Sequence, residues 1–382
     1  MMKTNSLGLY LHIPFCERKC SYCDFLSFKC AQKQPLSEYA VALCEEIKIL
    51  GETWPYRLVE TVFIGGGTPS LLEGEDIKRI MSCIRENFNV AEDAEITIEG
   101  NPNSLDDRKL NAYLETGINR LSIGIQSFDN SVLSVLGRLH DKNQATSAYQ
   151  KARRAGFRNI NLDLMFAIPG QSLKKWIDSV KAAVFLKPEH ISMYSLTLEE
   201  GTEMYDRIKS GQLTETTEIL DREMYHQALE LLKKEGYEHY EISNCALPGR
   251  EGRHNMKYWS YEEYLGIGLG ASSFIGGVRY RNVENMLDYL KCIKAHKAPI
   301  DAGSVENYTE RDEMGIFIFT GLRKQSGISL ERFRRTFGRD LFDVFDDSVL
   351  KRNKGLIVLE GDRLYLTEYG MDVSNRIMAE FV

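Results

Sequence analysis

No apolar run in this 382-residue chain approaches the roughly 18 residues that a membrane span needs. Basic charge is not in excess either. The 48 Lys and Arg against 55 Asp and Glu leave a net charge of −7, which offers no general attraction to nucleic acid or to an anionic membrane surface. Internal repeats, low-complexity tracts and obvious flexible linkers are missing. The first residues carry one lysine ahead of an apolar stretch that runs into His12 and Pro14, a poor match to a signal peptide. Eight cysteines in a chain of this size, without an export signal, argue against a disulfide framework and for the reducing cytoplasm. What is present is ordinary for a globular protein, with 43% apolar and 27% charged residues. The length suits two or three domains.

Five cysteines (Cys30, Cys44, Cys83, Cys245 and Cys292) are scattered singly and read as ordinary buried or free thiols. The other three are not scattered. Cys16, Cys20 and Cys23 stand in C-x-x-x-C-x-x-C spacing, directly after His12-Ile13-Pro14-Phe15. Three thiolates in one loop can hold three irons of a 4Fe–4S cube and leave the fourth without a protein ligand. An iron left open in this way can bind a cofactor directly, and S-adenosylmethionine is the best-known cofactor that does so. A zinc knuckle would instead pair two C-x-x-C hooks, or one hook with two histidines. A second hook would have to come from distant cysteines, and His12 lies too early to complete a finger.

The first two hundred residues alternate strand-like and helical patterns. Strands are expected over Leu7–His12, Thr61–Ile64, Glu95–Glu99, Arg120–Gln126, Asn159–Phe166 and His190–Leu196. Helices are expected over Ser37–Leu50, Gly74–Asn87, Asp106–Thr116, Asn143–Ala155 and Leu173–Phe185. Successive β-then-α units predict an α/β fold with parallel strands, either a partial barrel or an open doubly wound sheet. The placement of the motifs favours the barrel. Three regions are expected: the barrel over 1–205, an α+β extension over 206–304 and a winged-helix-like domain over 305–382. The last ends in a hairpin around Gly361-Asp362 and a final helix. Its 12 Lys and Arg against 14 Asp and Glu lack the basic footprint of a DNA reader.

Gly65-Gly66-Gly67-Thr68-Pro69 follows the second strand. Glycines let backbone amides approach a ligand, although a plain glycine-rich turn would look the same. No lysine follows to make it a P-loop. Polar residues then recur at or just after later strands: Glu99, Gln126 and Asp163, with Arg138 beyond the fourth. Ligand sites of barrels form at the carboxyl ends of strands, which suits Glu99 and Gln126. A carboxylate suits ribose hydroxyls and Arg138 suits a methionine carboxylate. Each could singly be a satisfied buried polar group.

A last motif is His254-Asn255-Met256-Lys257-Tyr258-Trp259, with Tyr261, Tyr264 and a glycine-rich run after it. A histidine beside flat aromatic rings could ligate a haem iron and stack its macrocycle. The same composition equally suits an aromatic patch that packs this segment over the barrel mouth. The other histidines, His140, His190, His226, His239 and His296 among them, show no ligand spacing.

Taken together, Tyr10-x-His12-Ile13-Pro14-Phe15-Cys16 with Cys20 and Cys23, Gly65–Pro69, Gly124–Phe128, Leu164–Gly170 and the winged segment resemble the coproporphyrinogen-dehydrogenase-like branch of the radical S-adenosylmethionine superfamily. The resemblance spans nearly the whole chain. It implies a partial (β/α)6 TIM-like barrel, a 4Fe–4S cluster on the three cysteines, and S-adenosylmethionine contacts from Tyr10, Gly66, Gly67, Thr68, Glu99, Gln126, Arg138 and Asp163. Two departures from the dehydrogenase itself stand out. Phe25 occupies the position of a further cysteine, and the dehydrogenase's longer segment ahead of the cysteines is lacking. His254-Asn255-x-x-Tyr258-Trp259 is instead similar to the H-N-x-x-Y-W signature of the HemW haem chaperone family.

That likeness implies haem as a further cofactor near His254, with Asn255 beside it and Tyr258 and Trp259 as aromatic walls. It implies delivery of haem to haem-requiring apoproteins, such as respiratory enzymes, without decarboxylation. An electron donor is expected as a partner. The cluster and its cofactor are expected to order the barrel and to favour dimerisation or membrane docking of the loaded protein. The alternative is oxidative decarboxylation of coproporphyrinogen III to protoporphyrinogen IX. Radical opening or alkylation of haem, and a silent scaffold, complete the field.

Overall fold

The computed structural model describes residues 6–30 and 32–382. Six parallel strands follow one another across a sheet in chain order: β1 (Ser6–Ile13), β2 (Leu58–Gly66), β3 (Asn89–Gly100), β4 (Arg120–Gln126), β5 (Ile160–Phe166) and β6 (His190–Ser195). Helices α1 (Lys33–Thr53), α2 (Gly74–Asn87), α3 (Asp107–Glu115), α4 (Asn130–Val135), α5 (Lys142–Ala155) and α6 (Leu173–Leu186) make the crossovers.

Local signals explain these boundaries. In α2, Ile77, Ile80, Met81 and Ile84 recur at helical spacing and are buried against the sheet. Helix α5 opens on a reciprocal capping box between Asp141 and Gln144 and stops at Gly156, whose φ of 118° ends the helical path. Helix α1 starts four residues before the expected Ser37 because Pro35 falls in its first turn, where a missing N–H breaks no helical bond.

The sheet does not end at six strands. After α7 (Glu203–Lys209) and α8 (Glu218–Lys234), the strands β7 (Glu238–Glu241) and β8 (Asn244–Ala246) add antiparallel to the β6 edge. Helix α9 (Arg253–Trp259) follows, and β9 (Tyr264–Ile267) then pairs parallel to β1 as a seventh parallel strand. Strands β10 (Ser272–Ile275) and β11 (Val278–Arg281) complete an 11-stranded sheet, and α10 (Met286–Lys294) follows them. The expected extension therefore has no core of its own. Tyr225, Leu232, Leu265, Ile267 and Tyr289 pack in the same apolar cluster as Leu9, Ile64 and Leu121 of the barrel.

A second apolar cluster lies in the C-terminal region, built on Phe317, Ile318, Phe333, Leu364 and Ile377. There α11 (Glu310–Gly321), β12 (Ile328–Ser329), α12 (Leu330–Phe337), β13 (Ile357–Glu360) and β14 (Arg363–Leu366) form a winged arrangement with strand order β12-β14-β13. The expected final helix is two short ones, Glu368–Asp372 and Ser374–Met378, interrupted at Val373. No helix among the described residues is long and apolar enough to cross a membrane.

Candidate functional site

All six barrel strands point their carboxyl ends at one mouth, and the cysteine loop folds over it. Phe15 and Cys16 pair in parallel with Phe28 and Lys29, and the Cys30 amide donates to the Cys16 carbonyl at 2.8 Å, which closes the loop at its base. At its tip, the Ser21 amide and hydroxyl donate to the carbonyls of Leu136 and Val135, and the Met204 amide donates to the Ser21 carbonyl. Two long-range elements therefore fix a segment that has little regular structure of its own.

The loop's sulfurs face donors. Thr68 Oγ1 donates toward Cys16 Sγ at 3.6 Å, and Arg138 Nη1 toward Cys20 Sγ at 3.4 Å. Burial pushes the Cys16 thiol above its usual range and the Cys23 thiol up to about 11. All three thiols are free, as are the other five. Among the described residues, no three His, Cys, Asp or Glu side chains are arranged to hold a single metal ion.

A cavity of about 520 Å³ opens beneath the loop, lined by Cys16, Cys20 and Cys23 together with Gly66, Gly67, Thr68, Glu99, Gln126, Arg138 and Asp163. Of the residues expected to touch S-adenosylmethionine, Tyr10 alone stands outside this lining. Its hydroxyl shares a 2.9 Å hydrogen bond with His12 Nδ1, and its ring lies 6.3 Å from that of Phe63 in the barrel interior.

The glycines are required by contact as well as conformation. A Cβ on Gly66 (φ 113°) would come within 2.7 Å of the His12 ring, and one on Gly67 within 2.6 Å of the Phe15 carbonyl oxygen. The Gly66 amide donates to Glu99 Oε2 at 3.1 Å. Burial, with Asp163 adding repulsion, pushes the Glu99 carboxyl up to about 8, so at neutral pH it is mostly protonated and able to donate. Burial raises Asp163 as well, against hydrogen bonds from Ser122 at 2.9 Å and Asn161 at 2.8 Å. Gln126 holds a left-handed φ of 65°, a strained setting that recurs at ligand sites.

Arg138 donates to Asn101 Oδ1 at 2.6 Å and to the Gly124 carbonyl at 2.7 Å, while its Nε is buried with no partner. Asn101 also donates to Thr68 at 3.0 Å and so ties the guanidinium to the glycine turn. The sequence reading missed it, although its place two residues after Glu99 at the end of β3 was the available signal. Tyr194 and Met165 were missed too and line the same cavity. These residues fit a cluster-bound sulfonium nucleotide: three thiol ligands on one wall, an orphaned guanidinium N–H beside them, and a cradle that any side chain would fill.

The H-N-x-x-Y-W segment is helix α9, and it lies at the opposite end of the barrel from the mouth. Its first amides, those of Arg253 and His254, donate to the Glu95 carboxylate at 3.1 and 3.0 Å. His254 is 1% exposed. Its Nδ1 is hydrogen-bonded to Thr61 Oγ1 and its Nε2 to Tyr258 Oη, both at 2.8 Å, and its ring stacks on Phe63 at 5.4 Å. Burial lowers its pKa to about 3, so the imidazole is neutral.

Both ring nitrogens of His254 are thus engaged by hydroxyl groups, so an iron ligated by this imidazole would have to displace one of them. The segment packs against Thr61, Phe63 and Glu95 at the barrel floor, not over the mouth where an aromatic packing patch was expected. Tyr258 is consumed in the same packing, edge-on to His254 at 5.0 Å and to Tyr264 at 4.5 Å. Asn255 is half-buried. Trp259 alone turns toward the C-terminal region, with the Arg323 guanidinium 4.3 Å from its ring centre. A cleft of about 780 Å³ beside α9 is lined mainly by charged and polar residues, Glu60, Glu95, Arg253 and Lys257 among them, together with Met256.

Fold and mouth together define a radical S-adenosylmethionine protein. Residues 10–183 match the radical SAM superfamily and residues 308–373 the HemN C-terminal domain. The chain is 34% identical to the heme chaperone HemW of Lactococcus lactis over 100% of its own length and 98% of that protein's. It is 39% identical to the heme chaperone HemW of Bacillus subtilis, over 98% of both chains. The solved coproporphyrinogen III oxidase HemN from Escherichia coli shares the fold, with a TM-score of 0.87 at 24% identity over 100% of this chain and 91% of that one. The chain belongs to the HemW family.

Proposed function

We propose that this protein is a haem chaperone that takes up haem and delivers it to haem-requiring apoproteins, respiratory enzymes among them. The observation that carries this reading is end-to-end kinship with heme chaperones, which leaves no large segment of either chain unmatched. Phe25 adds support. It is 62% exposed on the wall of the cavity, where the decarboxylating enzyme is expected to carry a further thiol.

On this reading Cys16, Cys20 and Cys23 hold a 4Fe–4S cluster, which when bound supplies single electrons to S-adenosylmethionine. The Gly66–Thr68 turn receives the amino group of S-adenosylmethionine, Arg138 its carboxylate, and Glu99 and Asp163 the ribose hydroxyls. Thr68 and Arg138 also place N–H and O–H dipoles against the sulfurs, which favours thiolate over thiol. An electron donor, and docking to a second copy or to a membrane surface, belong to the same proposal.

A second reading, coproporphyrinogen III decarboxylation, is favoured by the full set of donors in the mouth. Anaerobically reconstituted protein given reductant, S-adenosylmethionine and either haem or coproporphyrinogen III separates the two. Haem retained and then handed to an apoprotein, with no protoporphyrinogen formed, is the expected result. Turnover of coproporphyrinogen III would overturn it.

A further inference from the structure

Where the end of α9 meets the winged region there is a pocket of about 270 Å³ whose charged walls are all cationic: Lys324, Arg332 and Arg363. Trp259, Phe317 and Ile328 supply its apolar surface. Lys324 is 8% exposed, and its ammonium donates to Ser260 Oγ at 3.1 Å rather than to a carboxylate. Arg332 donates to the Ser260 carbonyl at 2.5 Å. Glu262 reaches Arg332 from outside the lining, at 3.7 Å, and is already bridged to Lys257 at 3.1 Å.

Burial is costly for an ammonium with no carboxylate in contact, and here it lowers the Lys324 pKa to about 8, with Arg332 adding repulsion that Glu262 offsets only in part. A further donor on this wall, Trp259 Nε1, is buried without a partner. Capping of α9 explains the two bonds to Ser260, since cations favour a helix carboxyl end. It does not explain the open volume, Arg363 on its wall or the orphaned indole N–H. A wall so rich in donors and so poor in acceptors is complementary to a group that only accepts.

We propose that this pocket binds a carboxylate, and that in the loaded protein the carboxylate is a propionate arm of haem. The second half rests on the haem-chaperone reading. The volume lies just below the roughly 300–1,000 Å³ of pockets that enclose a drug-sized ligand, so one arm enters and the macrocycle stays outside. The motif then has two working faces. His254 braces the barrel floor, and Trp259 walls the site that reads the ligand.

The test is equilibrium titration of the full chain with haem and with haem dimethyl ester, which lacks free carboxylates. Sodium propionate is titrated in parallel, read by tryptophan fluorescence with Trp259→Phe as control. Haem should bind about tenfold or more tighter than the ester, as one charge-assisted contact predicts. Lys324→Gln and Arg363→Gln should each erase most of that difference, and exposed Arg363 guards against misfolding. Equal affinity for haem and ester would overturn the propionate assignment. If haem does not bind at all, the chaperone reading falls. A saturable propionate response that Arg363→Gln abolishes would still uphold the pocket, and silence in both titrations would overturn it.

Discussion

Thr61 and His254, 193 residues apart in the chain, share a 2.8 Å hydrogen bond that fastens helix α9 to the start of β2. With the bond from Nε2 to Tyr258, this makes His254 part of the barrel floor. His254→Ala should leave two hydroxyls unpaired and open a cavity, costing about 3 kcal/mol of unfolding free energy in urea. In protein that remains folded, the visible spectrum of bound haem should be unchanged. A shifted Soret band with no loss of stability would return His254 to the role of ligand.

Arg138 bridges the cysteine loop, Asn101 and the end of β4 through its two terminal nitrogens. Arg138→Lys keeps the charge but loses the fork. S-adenosylmethionine affinity should fall about tenfold or more, the worth of a charge-assisted hydrogen bond, while iron and sulfide content stay near the unsubstituted level. Equilibrium dialysis against labelled cofactor and iron analysis make the comparison. Undiminished affinity would remove Arg138 from the site.

Gly67 lies so close to the Phe15 carbonyl that a methyl group must move the backbone next to Cys16. Gly67→Ala is therefore expected to impair cluster assembly, read as less iron per chain after anaerobic reconstitution. Gly170 is the control. A Cβ there meets nothing within 4 Å, so Gly170→Ala carries only the strain of its left-handed φ of 76°.

The cysteine loop, the glycine turn and the polar strand ends were legible because each is a short motif read within one stretch of chain. The strands from Leu7 to Leu196 were legible for a related reason: apolar residues such as Ile96 and Ile98, or Leu121, Ile123 and Ile125, recur at every second position. The seventh parallel strand was not. Tyr264–Ile267 has four residues, one of them Gly266, whose missing side chain lets the Ser272 carbonyl lie against it. A run that short carries no periodicity, and its partner β1 is over 250 residues away. The packing of His254 was hidden for the same reason, since Thr61, Phe63 and Glu95 are its neighbours only in space.

Glu46 illustrates such a distant assembly. It is fully buried on α1 and accepts from Tyr289 Oη at 2.6 Å, Asn282 Nδ2 at 2.7 Å and the Gly268 amide at 2.8 Å. Burial nevertheless pushes its carboxyl up to about 7. With the folded value above the unfolded value near 4.5, its contribution is full below pH 4.5 and is lost as pH rises through 7. Unfolding free energy should thus decline by about 3 kcal/mol from this group between those limits. Glu46→Gln should flatten that slope in urea melts across the range, and an unaltered slope would assign it elsewhere.

The cluster on Cys16, Cys20 and Cys23, with S-adenosylmethionine at its open iron, is the claim on which the rest depends. Electron paramagnetic resonance of the anaerobically reconstituted, reduced protein tests it most directly. A 4Fe–4S signal that changes on addition of S-adenosylmethionine, and that is lost when the three cysteines are replaced by alanine, is the predicted result. Zinc in place of iron, or a cluster signal indifferent to S-adenosylmethionine, would contradict it.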